Sequence, residues 1–215
     1  MHMLNKNQIE QNRAEFLKLL AEVNIEGARI QELVEFLDNG DFFTAPASTM
    51  YHNNYEGGLC EHSLNVYKNL VNLYELYKPN LPYTYDPSTL IVMGLLHDIS
   101  KTNFYESYIM NKKIYSEKGS KSDNQGKFDW FAEQAYKTKD AHNRFLAGTH
   151  EENSMILVAK YIPLMEEEMV ALLNHHGGIG NNNVNYDLSA ISNRYPLLPL
   201  LHAADYLSTF INERV

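Results

Sequence analysis

Apolar positions along this chain recur mostly at helical spacing. After Gly57 and Gly58, the series Leu59, His62, Val66, Leu70, Leu73 and Tyr77 advances in steps of three and four, which sets one face of a helix. The spacing predicts a helix over 59–77, stopped by Pro79. Further helices are predicted over 5–23, 25–37, 88–97, 151–161, 166–175 and 197–212. Residues 104–140 break the pattern. There "YESYIMNKKIYSE" and "KFDWFAEQAYKT" are aromatic and roughly alternating, and they flank the turn-forming run "KGSKSDNQG". They predict a β-hairpin set into a helical protein. The expected fold class is mainly α, a helical bundle with a small β-hairpin insertion. The expected organisation is N-terminal helices in 1–50 packed on a core domain of 51–215, with the insert at about 104–140.

Composition narrows the function classes. The chain has 215 residues, 44% of them hydrophobic and 21% charged, which suits a globular domain with a sizeable core. No apolar run approaches the roughly 20 residues of a membrane span, and no basic segment followed by an apolar stretch marks a leader. One cysteine, Cys60, excludes an internal disulfide and points to a reducing, cytoplasmic setting. Two residues before His62 on a helix, it faces another way and reads as a packed thiol. The net charge of -9 opposes binding to a long phosphate backbone. A small phosphate ester remains a reasonable partner if a bound cation receives it.

Several polar residues fall on apolar faces. His62 sits in the stripe described above. In the last predicted helix Leu198, His202, Asp205 and Thr209 step by four, three and four, so Asp205 shares an inward side. His97 and Asp98 end the apolar run of "GLLHDISK". Each has an ordinary explanation alone: a hydrogen-bonded core histidine, or an ion-paired core acid. Together they are four inward polar groups on three helices, each expensive to desolvate. A single metal ion accepts imidazole nitrogen and carboxylate oxygen and would satisfy all four. "AGTHEENS" sets His150 at the entrance of a helix. "LLNHHGG" sets His175 and His176 at the exit of another, where surface histidines beside a helix C-terminus are equally common.

In order, "GGLCEHSLNV", "GLLHDISK", "GTHEENS", "NHHGG" and "LLHAADYLST" resemble the HD-domain superfamily of metal-dependent phosphohydrolases, over about residues 51–210. The likeness is to its small stand-alone bacterial and phage-type members. The resemblance implies that His62, His97, Asp98 and Asp205 ligate a first divalent ion. It implies that Asp98 bridges to a second ion completed by His150 and His175, with His176 beside them. It also implies that Lys101 contacts a phosphate oxygen. Ser100 stands where the family usually has Gly, and Asn153 where close relatives have Lys.

The implied reaction is hydrolysis of a small phosphate ester by a metal-bound hydroxide, with Asp98, Lys101 and His176 in catalytic roles. His176 or Glu151 would protonate the leaving oxygen, and His202 would orient a ligand. Fe or Mn is favoured; Mg, Zn, Ni and Co also suit the donors. The aromatic insert, if it covers the site, could stack a base, which makes a nucleotide the first choice of substrate. Packing of its rings on the helical body is the plainer expectation. Alternatives are a catalytically silent nucleotide-binding or regulatory module and a di-iron oxygenase of the same fold. A homo-oligomer is compatible with the sequence.

Overall fold

The computed structural model describes residues 3–145, 148–176 and 188–213. Helix α1 (Lys6–Leu20) starts at Asn5, whose side chain accepts from the Gln8 amide while the Gln8 side chain accepts from the Asn5 amide. Helix α2 (Ile30–Asn39) begins later than its apolar spacing suggests. Gly27 at φ +80° ends any helix through 25–29. Helix α3 (Gly58–Tyr77) carries the stripe read from the sequence as far as Leu70. Past that point Tyr74 is the buried residue, Leu73 is half-buried and Tyr77 is 48% exposed. The last turn of α3 has solvent around it, so periodicity there no longer reports burial.

Helix α4 (Pro87–Leu96) is the centre of the molecule. Asp86 caps it by accepting from the Ser88 amide at 2.8 Å, and Pro87 needs no donor partner in the first turn. From Ser88 to Leu96 every residue is buried. Helix α3 lies along one side of α4, and α1 and α6 (Glu166–Asn174) pack on others. Helix α5 (His150–Tyr161) opens on Thr149 and Glu152, a reciprocal cap. The short α7 (Leu188–Arg194) was not expected from the pattern, and α8 (Leu197–Leu207) packs on α3 and α6. After Leu207 the chain does not stay α-helical to 212: Ser208–Asn212 form a wider π-helical turn. Among the described residues no helix is long and apolar enough to cross a membrane.

The α3–α4 contact depends on Gly94. A Cβ there would sit 2.5 Å from Tyr67 Cα and 2.8 Å from Tyr67 Cβ. Neither atom can yield without moving a helix. Gly94→Val is therefore expected to lower the urea midpoint at unchanged slope, by about 3 kcal/mol of stability. An unaltered midpoint would mean that α3 and α4 are not in this contact.

The insert differs from a plain hairpin. Strand β1 (Tyr105–Tyr115) pairs antiparallel with β3 (Gly126–Thr138), Tyr105 opposite Thr138 and Tyr115 opposite Phe128. The presumed turn contains a third strand, β2 (Lys121–Asp123), which pairs on the other edge of β3 in the order β1-β3-β2. Asp123 draws it in by accepting from the Tyr115 hydroxyl at 2.9 Å and pairing with Lys113. The aromatic rings divide: Phe104 and Tyr105, next to the helical body, are half-buried. Tyr108, Tyr115, Trp130 and Phe131 are 40–54% exposed, so they are not packed on the helical body. Phe128 alone is buried, between the rings of Tyr115 and Trp130 and under the Lys113 ammonium.

Candidate metal centre

Helix α4 hands its last turn to the site. Backbone hydrogen bonding within an apolar helix leaves no cost until the chain turns at His97 and Asp98, into a short 3-10 turn at Ile99–Lys101. His97 is fully buried, and its Nδ1–H donates to the Gly94 carbonyl at 3.0 Å, which leaves the Nε2 lone pair facing inward. Helix α3 brings His62 to it, with the two Nε2 atoms 3.3 Å apart. Helix α8 brings Asp205, whose Oδ1 is 3.2 Å from His62 Nε2. Asp98 Oδ2 lies 3.6 Å from both of those imidazole nitrogens.

The other oxygen of Asp98 faces a second group. Oδ1 meets His150 Nε2 in a short contact and lies 3.7 Å from His175 Nε2. His150 enters from the first residue of α5, and its Nδ1 is 2.8 Å from the Ser100 hydroxyl. His175 follows α6 and is fully buried; its Nδ1–H donates to the Leu172 carbonyl at 2.7 Å. Its Nε2 is buried with no hydrogen-bond partner. His202 Nδ1–H donates to the His175 carbonyl at 2.7 Å, so it supports a candidate ligand through the backbone rather than through a ring.

The electrostatics follow from this crowding. Burial pushes the His97 imidazolium down, to about 3, against the pull of Asp98 and Asp205. Burial likewise lowers His150. For His62 burial also opposes the charge, but Glu213 and Asp205 outweigh it and raise the group to about 10. Burial opposes the Asp98 carboxylate, yet Lys101, His97 and His150 hold it well below the usual carboxylate range. The Lys101 ammonium lies 2.6 Å from Asp98 Oδ2, nearly buried, and against that burial the carboxylate keeps it charged. At the mouth, His176 Nδ1 is 2.9 Å from Glu151 Oε1, and His176 Nε2 is 3.7 Å from Asp205 Oδ2. That pairing takes Glu151 down to about 2 and, against burial, raises His176. The His176 ring stacks on His150, 5.3 Å between centroids.

All eight residues assigned from the sequence thus lie in one cluster: His62, His97, Asp98, Lys101, His150, His175, His176 and Asp205. Their donors fit a divalent ion. Leaving Lys101 aside, they are nitrogen and oxygen only; the ligand atoms of Asp98, His150, His175 and His176 lie within 4.8 Å of one another, as do those of His62, His97 and Asp98, and His175 Nε2 is buried with nothing to bond. His52 and Glu213 were not anticipated. His52 packs against His62 at 4.7 Å between centroids and is held neutral, down to about 4, by burial and by His62. It comes from the irregular stretch before α3, where no periodicity marks it. Glu213 did leave a signal: one more step of four beyond Thr209 in the series 198, 202, 205, 209 arrives at it. The Gly/Asn loop expected after His176 lies outside the described residues.

Fold and site together define a helical-bundle protein with a histidine–aspartate cluster that could hold a divalent metal. A family model described as the HD domain matches residues 59–209. The chain belongs to the HD-domain superfamily of metal-dependent phosphohydrolases, and the match contains each of the eight residues above. No curated protein and no solved structure matches it.

Proposed function

We propose that this protein hydrolyses a small phosphate ester, a nucleotide by first choice, with one or two divalent ions, Fe or Mn preferred. The observation that carries the reading is the division of Asp98. One carboxylate oxygen faces His62 and His97, the other faces His150 and His175. A carboxylate shared in that way suits two ions side by side. His62, His97, Asp98 and Asp205 would hold one; Asp98, His150 and His175 would hold the other. When bound, such ions lower the pKa of water and neutralise phosphoryl oxygens.

The protein's own groups supply the rest. Lys101, fixed beside Asp98, adds a permanent positive charge at the inner end of the site. His176, at the mouth and raised by Glu151, is the proton donor for the leaving oxygen. Ser100, through the His150 ring, and His202, through the His175 carbonyl, fix ligand orientation. The net charge of -9 favours a compact substrate over a long polyanion.

The test is a panel of nucleotides and phosphodiesters incubated with chelator-treated chain plus Mn or Fe. Release of phosphate or of a nucleoside monophosphate only with added metal is the expected result. Metal binding without turnover of any member would instead favour a regulatory module.

The proton-donor assignment carries its own prediction. Glu151→Gln removes the carboxylate that favours the His176 imidazolium, so His176 titrates lower. The alkaline limb of kcat/KM should move toward acid. A pH–rate profile with its alkaline limb unmoved would remove His176 from that role.

A further inference from the structure

His62 is the candidate ligand with the most demanding geometry, because α3 must present its Nε2 to His97, Asp98 and Asp205 at once. What sets the ring is on its far side. Glu213 Oε1 and Oε2 lie 3.0 Å and 3.1 Å from His62 Nδ1, and Asn65 Nδ2 donates to Glu213 Oε1 at 3.0 Å. The Glu213 side chain is 2% exposed. A carboxylate accepts only, so the proton of the neutral ring is drawn to Nδ1 and the lone pair to Nε2.

The segment that carries Glu213 is a wide turn tied to α3. An uninterrupted α-helix after Asp205 would advance by 3.6 residues per turn. Instead Ser208–Asn212 widen to a π-helical turn, closed by the Glu213 amide on the Ser208 carbonyl at 3.0 Å. Such wide turns gather at functional places in helices. Asn69, two turns after His62, ties this segment down by donating to Ser208 Oγ at 2.9 Å and Asn212 Oδ1 at 2.8 Å. Glu213 lies past residue 209, where the family match ends.

We infer that Glu213 is the positioning residue of the metal centre: it fixes the tautomer and the orientation of His62 through Nδ1. The inference rests on reading His62 as a metal ligand. Partners of this kind change metal affinity by about 10–100-fold.

The test uses the full chain, stripped with chelator and titrated with Mn²⁺, free ion being read by its electron paramagnetic resonance signal. Glu213→Leu should weaken Mn²⁺ binding by about 10–100-fold, and Glu213→Gln, which keeps an acceptor toward Nδ1, by less than about threefold. Asn212→Ala loosens the same segment without touching His62 and should leave affinity unchanged. Equal affinity in native chain and Glu213→Leu overturns the inference; so does an equal loss in Asn212→Ala, which would make the segment a packing element only. Should Glu213→Leu fail to fold, the tautomer of His62 in the native, Zn²⁺-loaded chain decides. Long-range ¹H–¹⁵N spectra should show the proton on Nδ1, and a proton on Nε2 overturns the inference. Failure of the native chain to bind Mn²⁺ or Zn²⁺ sinks the metal-centre reading itself and this inference with it, an outcome distinct from loss of the difference between variants.

Discussion

Asp98→Ala is expected to abolish metal-dependent hydrolysis, by at least about 10³-fold, and to leave the purified chain without its full metal content. The size follows from the several kcal/mol that metal-ion catalysis supplies, at about 1.4 kcal/mol for each tenfold. One oxygen of Asp98 faces His62 and His97 and the other faces His150 and His175, so its loss disconnects the two pairs. The same substitution strands the Lys101 ammonium. That group is 2.6 Å from Asp98, with side chains 11% and 1% exposed, and removing one member of a buried pair costs about 3–5 kcal/mol. A dead variant could therefore be merely unfolded. The double variant Asp98→Asn with Lys101→Met separates the two causes. It removes charge and counter-charge together, so thermal stability should return toward that of the native chain while metal content and activity stay lost. Metal measured per chain by mass spectrometry, beside a melting curve, reads both. Native metal content in Asp98→Ala would refute the shared-carboxylate site.

The parts of this site that were legible in the sequence are those carried by regular helices. His62 and Asp205 were found because apolar neighbours at steps of three and four report which side of α3 and α8 faces in. His97 and Asp98 were found because the run before them is wholly apolar, and α4 is indeed buried along its length. His150 and His175 stand at helix ends, where spacing alone says nothing about facing; they came from the order of motifs. His52 and the π-helical turn were hidden for a physical reason. Both lie where the chain leaves the 3.6-residue period, and only tertiary contacts decide where their side chains point. The insert shows the converse limit. Its alternation correctly marked strands, but an antiparallel ribbon with both faces in solvent leaves no core side for alternation to identify, and β2 was too short to leave a pattern.

The departures from the family pattern are interpretable once the packing is known. Ser100, in place of the usual Gly, is buried, with its hydroxyl 2.8 Å from His150 Nδ1 and 3.0 Å from Ser154 Oγ. It is a polar brace for a ligand ring. Asn153, in place of Lys, is buried and holds Gly148 through both side-chain atoms, accepting from its amide at 2.9 Å and donating to its carbonyl at 3.2 Å. A lysine could not make the first of these bonds. The segment before His150 is thus fixed by a neutral clamp.

Stripping metal should lower the melting temperature by about 10 °C, and the size of that drop should grow with pH. An ion present at a thousand times its Kd stabilises the folded state by about 4.1 kcal/mol. A domain of this size melts about 2–4 °C lower for each kcal/mol lost. The pH dependence comes from competition between protons and metal for the same nitrogens. Burial holds His97 down to about 3 and lowers His150, so neither carries a proton that must leave above neutrality. His62 differs. Against burial, Glu213 and Asp205 raise it to about 10 in the folded chain, above its ordinary 6.5. A raised histidine stabilises the stripped chain fully below 6.5, and that contribution declines from there until it is gone above about 10. Metal must displace this proton, which becomes easier with each step up in pH. From pH 6 to pH 8 the stripped chain gradually gives up protons only from its unfolded form, while the loaded chain tightens its hold on the ion. The gap between the two melting curves should therefore widen across that range. Differential scanning fluorimetry with and without chelator at three pH values measures it. A gap that stayed constant would mean that no protonated histidine stands in the way of the ion. A gap of zero at every pH would mean that the buried cluster is stable on its own ion pairs, with Lys101 and His62 as its permanent cations.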